Sequence, residues 1–440
     1  MTEIISIFLS IIVLLMIFSF PLPLTSINRI KSLNIYDILL INIVIHSNFF
    51  LILSFFSLNT KILFFIYITI SIFYFILFRK INFIYLKHNF LTIFFFIISL
   101  YCIFINIAQS SILSWDGAAH WLYKAQNFFQ ETEYKNLINL PFNYYPHLGS
   151  YIWAFFWKNS LMQIEYFGRF FFVFLLLTCC FSLGQQLNKK FSNFEKISIS
   201  LLLTYLSTNF FLLGGYQEYF LFFIFFIFGR FFLLYQSNPK FMEKKYYIIL
   251  ILLTLNLFLW TKQEGFFYFF ILNAVFLFHI KSHFNFKFIY FLFSFFLVFA
   301  YLKIKIFFFG NVTFNENVNI DELFKSLFLL ITEYLYNYSF HEIFYKILVI
   351  TKYILISFIK YPIWIVIILA STILIIKYKF FKNNFFFISY FFLHMTLIYL
   401  VYLKHTDINI LLPLTLSRLI FPIAGLYIFL IVILLNKLKR

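Results

Sequence analysis

Long apolar segments alternate with short polar ones along almost the whole chain. The apolar runs recur from Ile4 to Asn436, and most approach the roughly 20 residues that a helix needs to cross the hydrocarbon core of a bilayer. The predicted spans are 4–22, 36–57, 62–78, 90–108, 166–187, 197–213, 219–236, 246–260, 266–280, 288–306, 361–376, 384–402 and 418–435. The pattern predicts an all-α integral membrane protein with about thirteen transmembrane helices, in which residues 1–440 form one transmembrane domain.

Composition supports this class and excludes others. Of the 440 residues, 63% are hydrophobic and only 11% are charged, which leaves no room for a separate soluble domain. The net charge of +18 does not indicate a nucleic-acid partner, because the basic residues are scattered between apolar runs and form no basic stripe. Cys102, Cys179 and Cys180 lie inside apolar runs without metal-ligand or redox spacing. The first run lacks a basic n-region and a cleavage site, so we expect a retained helix.

The distribution of charge between the connections predicts the orientation. Alternating the connections places nineteen Lys and Arg residues on one side, opposed there only by Asp37, Glu195 and Glu243. This bias is typical of cytoplasmic loops, so we expect a multi-pass protein of the cytoplasmic (inner) membrane with its N-terminus outside and its C-terminus in the cytoplasm. Two long segments, 109–165 and 307–360, then lie outside. Their amphipathic patterns predict interfacial helices, and outer loops of this length are commonly functional.

The first long outer loop contains SWDGAAHWLYKAQ, in which charges are concentrated. Ser114 is predicted to cap a helix that starts at Trp115, so that Asp116 lies in the first turn, where the helix dipole stabilises a carboxylate. Asp116, His120 and Lys124 follow at i, i+4 and i+8 and are expected to share one helix face. Two interpretations are open: a functional site, or an interfacial helix whose polar face meets water and lipid headgroups.

The same loop continues as NYYPHLGSYIWAFFWK, which predicts a second short helix. Pro146 suits a first helical turn, so we expect a helix from Pro146 to about Trp157 on the outer surface, with His147 at its start. This segment is equally consistent with an amphipathic helix that carries no chemistry.

Further charges lie at the outer ends of later helices. Glu218 in GGYQE opens a span, and Lys262 and Glu264 in TKQEG join two spans by a tight turn, while Arg418 stands at the outer end of the final span. Charges near membrane depth are costly and tend to mark substrate paths, and a guanidinium can bind a phosphate bidentately. The alternatives are hydrated hairpin tips and an arginine that snorkels to ordinary lipid headgroups.

The order SWDGAAHWLYKAQ, YYPHLGSYIWA, GGYQE, TKQEG and SRLIFPIAG resembles bacterial polytopic proteins of the GT-C class of membrane glycosyltransferases. The resemblance spans residues 114–425. It implies a GT-C-like fold, a polyprenyl-phosphate sugar donor and catalysis at the outer face. It carries the catalytic carboxylate onto Asp116 and the lipid-phosphate role onto Arg418, with Lys262, His120 and Lys124 as further candidates for binding phosphate or sugar.

This sequence departs from the class in one respect. Many members place the catalytic loop directly after the first helix and show two adjacent acidic residues, whereas here four predicted spans precede Asp116 and Gly117 follows it. No metal ligand is assigned, no cofactor is required by the pattern, and dependence on a divalent metal stays open.

The expected chemistry is transfer of a sugar to an acceptor hydroxyl of a glycan, a lipid or a protein. Asp116 would remove the hydroxyl proton, and Arg418 with a lysine would stabilise the leaving phosphate. A single carboxylate base favours inversion at the anomeric carbon, by analogy with hydrolases. Glu218, Glu264 and His147 complete the predicted substrate-binding set.

Two alternative functions remain from the sequence. An O-antigen-type polymerase or ligase usually has a basic outer loop, whereas residues 307–345 are acidic. A transporter or flippase of lipid-linked sugars should show related halves, and the sequence has no internal repeat. The sequence does not specify the sugar, the acceptor, the carrier length or the oligomeric state.

Overall fold

The computed structural model of the chain is all-α, as the sequence predicted, over the residues that it describes. These are 2–19, 33–56, 58–77, 79–132, 134–140, 145–209, 213–237, 241–280, 298, 339–378, 385–403 and 407–439. The first helices are α1 (Thr2–Ser19), α2 (Ile35–Leu53), α3 (Thr60–Leu77), α4 (Arg79–Ser110), α5 (Tyr123–Phe129), α6 (Leu148–Lys158), α7 (Tyr166–Gln185) and α8 (Asn193–Ser207). The later ones are α9 (Glu218–Ser237), α10 (Phe241–Thr261), α11 (Gly265–Ile280), α12 (Phe340–Lys360), α13 (Pro362–Tyr378), α14 (Phe385–Leu403), α15 (Ile408–Ile420), α16 (Ala424–Tyr427) and α17 (Phe429–Leu438).

Among the described residues, eight helices are long and apolar enough to cross a membrane, or nine if the bent pair α12–α13 is one span. The eight are α1, α2, α3, Asn89–Ser110 in α4, α7, Glu218–Gln236 in α9, α14 and Ile408–Leu438. A multi-pass membrane protein is therefore supported, but a number near thirteen is not. Helix α8 has 15 residues, the apolar parts of α10 and α11 are also short, and the predicted span 288–306 lies, apart from residue 298, outside the described residues.

Helices α7 and α9 form the centre of the bundle. The apolar window of α7 is 100% buried and that of α9 is 94% buried, whereas only 11% of the α3 window and 28% of the α4 window are buried. A helix that is apolar all round and buried all round belongs to a core, while an exposed apolar helix in such a protein faces lipid. Glu218 is the first residue of α9, one of these two central helices, and is itself fully buried.

The second long segment is described from residue 339. Ser339 and Glu342 form a capping box at the start of α12, which buries one stripe and exposes the rest. Helices α12 and α13 meet at an angle of 100° around Tyr361, and α12 packs along α15. This geometry suits an interfacial helix followed by a span, although its depth in a membrane stays a prediction. The acidic stretch of the predicted loop before residue 339 lies outside the described residues.

The final span begins earlier than predicted. The sequence pattern set its start at residue 418, but α15 begins at Ile408 and includes Pro413 within the helix. Arg418 therefore lies in the last turn of α15, just before the turn around Pro422, rather than at the start of a span. The predicted spans left 403–417 as a connection, yet α15 begins within that stretch, stays helical through Pro413 and packs against α12.

Charged groups are segregated to two ends of the core. Arg230 donates from Nη2 to Oδ2 of Asp37 at 2.7 Å, and the Ser182 hydroxyl donates to Oδ1 of the same carboxylate at 2.7 Å. Arg230 lies twelve residues after Glu218 on α9, which corresponds to roughly 18 Å along the helix axis. The Asp37–Arg230 pair thus lies at the end of the bundle that the charge bias predicts to be cytoplasmic. Glu218 lies at the opposite end.

Candidate functional site

The segment after α4 forms a helix with the predicted start, but its first part is irregular. The helix begins at Trp115 and passes through a π-helical turn, Gly117–Leu122, before it continues as α5. Ser114 does not cap it through its side chain, which corrects the prediction. Its hydroxyl donates to the carbonyl of Gly214 at 2.7 Å, and its backbone N–H donates to the same oxygen at 2.9 Å. The side chain therefore links two distant segments instead of ending a helix.

Glycines allow these two segments to touch. A Cβ atom on Gly117 would lie 2.2 Å from the carbonyl oxygen of Gly214, which is far inside van der Waals contact. Gly215 has φ of +96°, a conformation that favours glycine, and packs against Trp153. The glycine that follows Asp116 in place of a second acidic residue thus has a structural role, since it brings Asp116 next to the GGYQE segment.

A cluster of charged side chains forms where these segments meet α15. Arg418 donates from Nε to Oε1 of Glu218 at 2.8 Å and from Nη2 to Oδ2 of Asp116, while its guanidinium lies over the ring of Tyr216 at 4.1 Å. Asp116 and Arg418 are 302 positions apart in the chain. We call Asp116, Glu218, Lys262, Glu264 and Arg418 the charge cluster.

Lys262 closes the charge cluster on the other side. Its Nζ lies 3.1 Å from Oε1 of Glu218 and 3.3 Å from Oε1 of Glu264. Burial opposes its charged form, but the carboxylates of Glu218 and Glu264 outweigh that effect and raise the pKa of Lys262. Lys262 is therefore charged at neutral pH. The five residues that the sequence singled out as decisive are all joined by direct contacts.

The charge cluster is enclosed to different degrees. Glu218 is 0% exposed and contacts both cations, whereas the side chain of Glu264 is 31% exposed and that of Asp116 is 11% exposed. A charge with no access to water persists only when it is paired and hydrogen-bonded, so Glu218 is the fixed centre of the network. Three carboxylates face two cations, which gives the cluster a net formal charge of about −1 at neutral pH.

His120 lies beside the charge cluster, as predicted. Its Nε2 is 3.8 Å from Oδ1 of Asp116, and its ring contacts the rings of Trp115 and Tyr145. Burial lowers the pKa of His120, Asp116 acts in the opposite direction, and nearby cations lower it further. The imidazole is therefore neutral at neutral pH and can accept or donate a hydrogen bond without adding charge.

Lys124 lies outside the charge cluster. Its Nζ donates to the carbonyl of Tyr145 at 2.5 Å and lies near the rings of Trp121 and Tyr145, and the side chain is fully buried. His120 and Lys124 both contact Tyr145, but within the described part of the chain Lys124 forms no ion pair with a residue of the charge cluster. Burial lowers the pKa of Lys124 well below its usual value. Lys124 thus fixes the Tyr145 backbone and is not a phosphate ligand in this arrangement.

His147 also lies outside the charge cluster. Its Nε2 shares a hydrogen bond of 2.7 Å with the Ser54 hydroxyl, and its ring contacts Phe55 and Trp260. The predicted helix exists but begins at Leu148, and its residues up to Phe156 are buried rather than lying on the surface. The apolar face that suggested an interfacial helix packs instead against α5, α7 and α2. His147 therefore joins core elements.

Arg169, which the sequence analysis missed, binds the backbone of the two segments that precede Asp116 and Glu218. From α7, its Nη1 donates to the carbonyls of Ile112 at 3.1 Å and Leu213 at 3.2 Å, and its Nη2 donates to Ser111 at 3.3 Å. Glu165 is its counter-ion at 3.0 Å. Ser111 has a positive φ of 41°, where the chain turns after α4. An arginine in the first turn of an otherwise apolar helix was the available signal.

Tyrosines that the sequence did not distinguish also surround the charge cluster. Tyr216 stacks under Arg418, and burial raises the pKa of its hydroxyl, so it stays protonated at neutral pH. Tyr361, at the α12–α13 bend, contacts Phe421 beside α15. The 25% of aromatic residues in the chain hid these positions, because a tyrosine carries no signal in such a background.

The described residues contain no group of three or more His, Cys, Asp or Glu arranged to hold a metal ion. Within the charge cluster each carboxylate already contacts a lysine or an arginine, an arrangement that suits an anionic ligand competing for the cations. No protein-family model, no curated protein and no solved structure matches the chain.

Proposed function

We propose that this protein is a membrane glycosyltransferase of the GT-C type, which moves a sugar from a polyprenyl-phosphate donor to an acceptor hydroxyl. The observation that carries the proposal is the contact between Asp116 and Arg418, which the motif order assigned to the base and to the lipid phosphate. Four of the five resembling motifs contribute side chains to, or directly beside, one charge cluster. Such convergence is expected of a site and is not required of separate hairpin tips.

The chemistry follows from the roles that each group can fill. The Asp116 carboxylate accepts the proton of the acceptor hydroxyl as the new glycosidic bond forms, and the bond from the anomeric carbon to the donor phosphate breaks. The phosphate leaves with the bonding electron pair, and Arg418 and Lys262 stabilise its charge. Attack opposite the leaving phosphate inverts the anomeric carbon.

The position of the charge cluster supports action at a membrane surface. It lies at the end of α9 opposite the Asp37–Arg230 pair, and the charge bias of the connections predicts that this end is at the outer face of the cytoplasmic membrane. A donor with its prenyl chain in the bilayer would present its phosphate at this depth. The proposed partners are accordingly a polyprenyl-phosphate sugar and membrane lipids.

The test is sugar transfer in proteoliposomes. Purified protein is reconstituted with a labelled polyprenyl-phosphate sugar and one defined acceptor, and label transfer is followed. Asp116→Asn is expected to lower the rate by about 10²- to 10⁴-fold. Glu195→Gln, which makes the same chemical change in an exposed pair with Lys439, is the matched control and is expected to keep full activity.

Two results would contradict the proposal. Full activity in a correctly inserted Asp116→Asn variant would remove Asp116 as the base. Movement of the labelled lipid across the bilayer without consumption of its sugar would favour the flippase alternative instead.

A further inference from the structure

Both cations of the charge cluster are paired with carboxylates, so a phosphate would have to compete for them. Arg418 contacts the carboxylates of Glu218 and Asp116, and Lys262 contacts those of Glu218 and Glu264. A phosphate adds negative charge to a group that already has one carboxylate in excess. The Nε and Nη2 edge of Arg418 already binds both carboxylates, so a phosphate can bind that edge bidentately only if one of them gives way.

The two carboxylates on Arg418 differ in their freedom to move. Glu218 is fully buried, contacts both cations and lies in the first turn of α9, where the helix dipole favours its charge. Withdrawing Glu218 would break two ion pairs of a fully buried carboxylate at once. Asp116 has partial exposure, a single cationic contact and a neutral histidine beside it, and its chain runs directly into the π-helical turn. Asp116 is the partner that can leave.

We propose that the donor phosphate displaces Asp116 from Arg418, so that donor binding itself releases the catalytic base. This inference rests on the proposed function. Arg418 donates a hydrogen bond to Oδ2 of Asp116, so this oxygen is already engaged and is not placed to accept the proton of an acceptor hydroxyl. In the free enzyme Asp116 is therefore held inactive, and the exchange makes it available only when a donor occupies the site. The acceptor hydroxyl is therefore deprotonated only after the donor has bound.

Competition for Arg418 has a direct signature in binding. Affinity is measured for a short-chain polyprenyl phosphate without sugar, in detergent micelles at fixed salt. Asp116→Asn removes the competitor and is expected to bind the phosphate about tenfold tighter than the wild type, although it does not transfer sugar. Asp116→Glu keeps a competing carboxylate and is expected to bind like the wild type. Arg418→Gln should lose most of the affinity.

A matched control separates competition from general electrostatics. Glu264→Gln removes the same charge from the charge cluster, but Glu264 contacts Lys262 and not Arg418. Its gain in affinity is expected to be clearly smaller than that of Asp116→Asn. Equal gains in the two variants, or an Asp116→Asn variant that binds no tighter than the wild type, would overturn the exchange.

The outcome is separable from the proposed function. If sugar transfer occurs in proteoliposomes while Asp116→Asn binds phosphate no tighter, the exchange is wrong and the enzyme assignment stands. If Asp116→Asn binds the phosphate tighter but the wild type transfers no sugar, the phosphate exchange stands and the assignment of glycosyl transfer is wrong.

Discussion

Replacing Glu218 tests whether the charge cluster is a buried network with one fixed centre. Glu218→Gln keeps the size of the side chain and removes the charge that both cations share. Oε1 of Glu218 lies 3.1 Å from Nζ of Lys262 and 2.8 Å from Nε of Arg418, and at an effective dielectric constant of 20 each contact has about 5–6 kcal/mol of Coulomb attraction. Desolvation of the charges offsets much of this, so we expect a loss of about 3–5 kcal/mol in the free energy of unfolding.

The assay is a denaturation titration in mixed micelles, with Glu195→Gln as the control. Glu195 pairs with Lys439 at the surface, and its replacement is expected to leave the midpoint unchanged. The double variant Glu218→Gln, Lys262→Met should lose less than the sum of the two single variants, because both single changes break the same ion pair of 3.1 Å. A loss below about 1 kcal/mol in Glu218→Gln, the range typical of exposed pairs, would refute a buried network.

The other predictions concern the segments that hold the charge cluster. Gly117→Ala should cost about 1–3 kcal/mol and reduce sugar transfer, because its Cβ would lie 2.2 Å from Gly214 O, whereas Gly229→Ala meets only side-chain atoms at 3.0 Å and should cost less in the same unfolding titration. Arg169→Gln should lower kcat while donor affinity is kept, since it releases backbone carbonyls that position the site; an unchanged kcat would contradict this. Burial lowers the pKa of His120 below 6.5, so the unfolded chain takes up a proton that the folded protein resists, and stability should fall as the pH drops below 6.5. That pH dependence should be weaker in His120→Gln, and identical wild-type and variant curves would contradict the assignment.

The structure also shows why some residues of the predicted site separate. Asp116 and His120 lie within one helical turn of each other, whereas Lys124, four residues later, donates to the Tyr145 carbonyl. The sequence predicts His147 at the start of a helix on the outer surface, whereas neighbouring helices bury that helix from Leu148 to Phe156. A helical wheel assumes regular geometry and says nothing about the other elements of the fold.

The sequence by itself determined the all-α membrane class, the positions of most apolar helices and the segregation of charges, because hydropathy and helix periodicity are local properties of the chain. It also singled out Asp116, Glu218, Lys262, Glu264 and Arg418 as candidate site residues, because charges near membrane depth are costly. Tertiary structure alone decided which partner each charge has. Ion pairs form between side chains that are distant in the chain, and the glycine contact, the π turn and the Arg169 clamp that bring them together have no signature in local spacing.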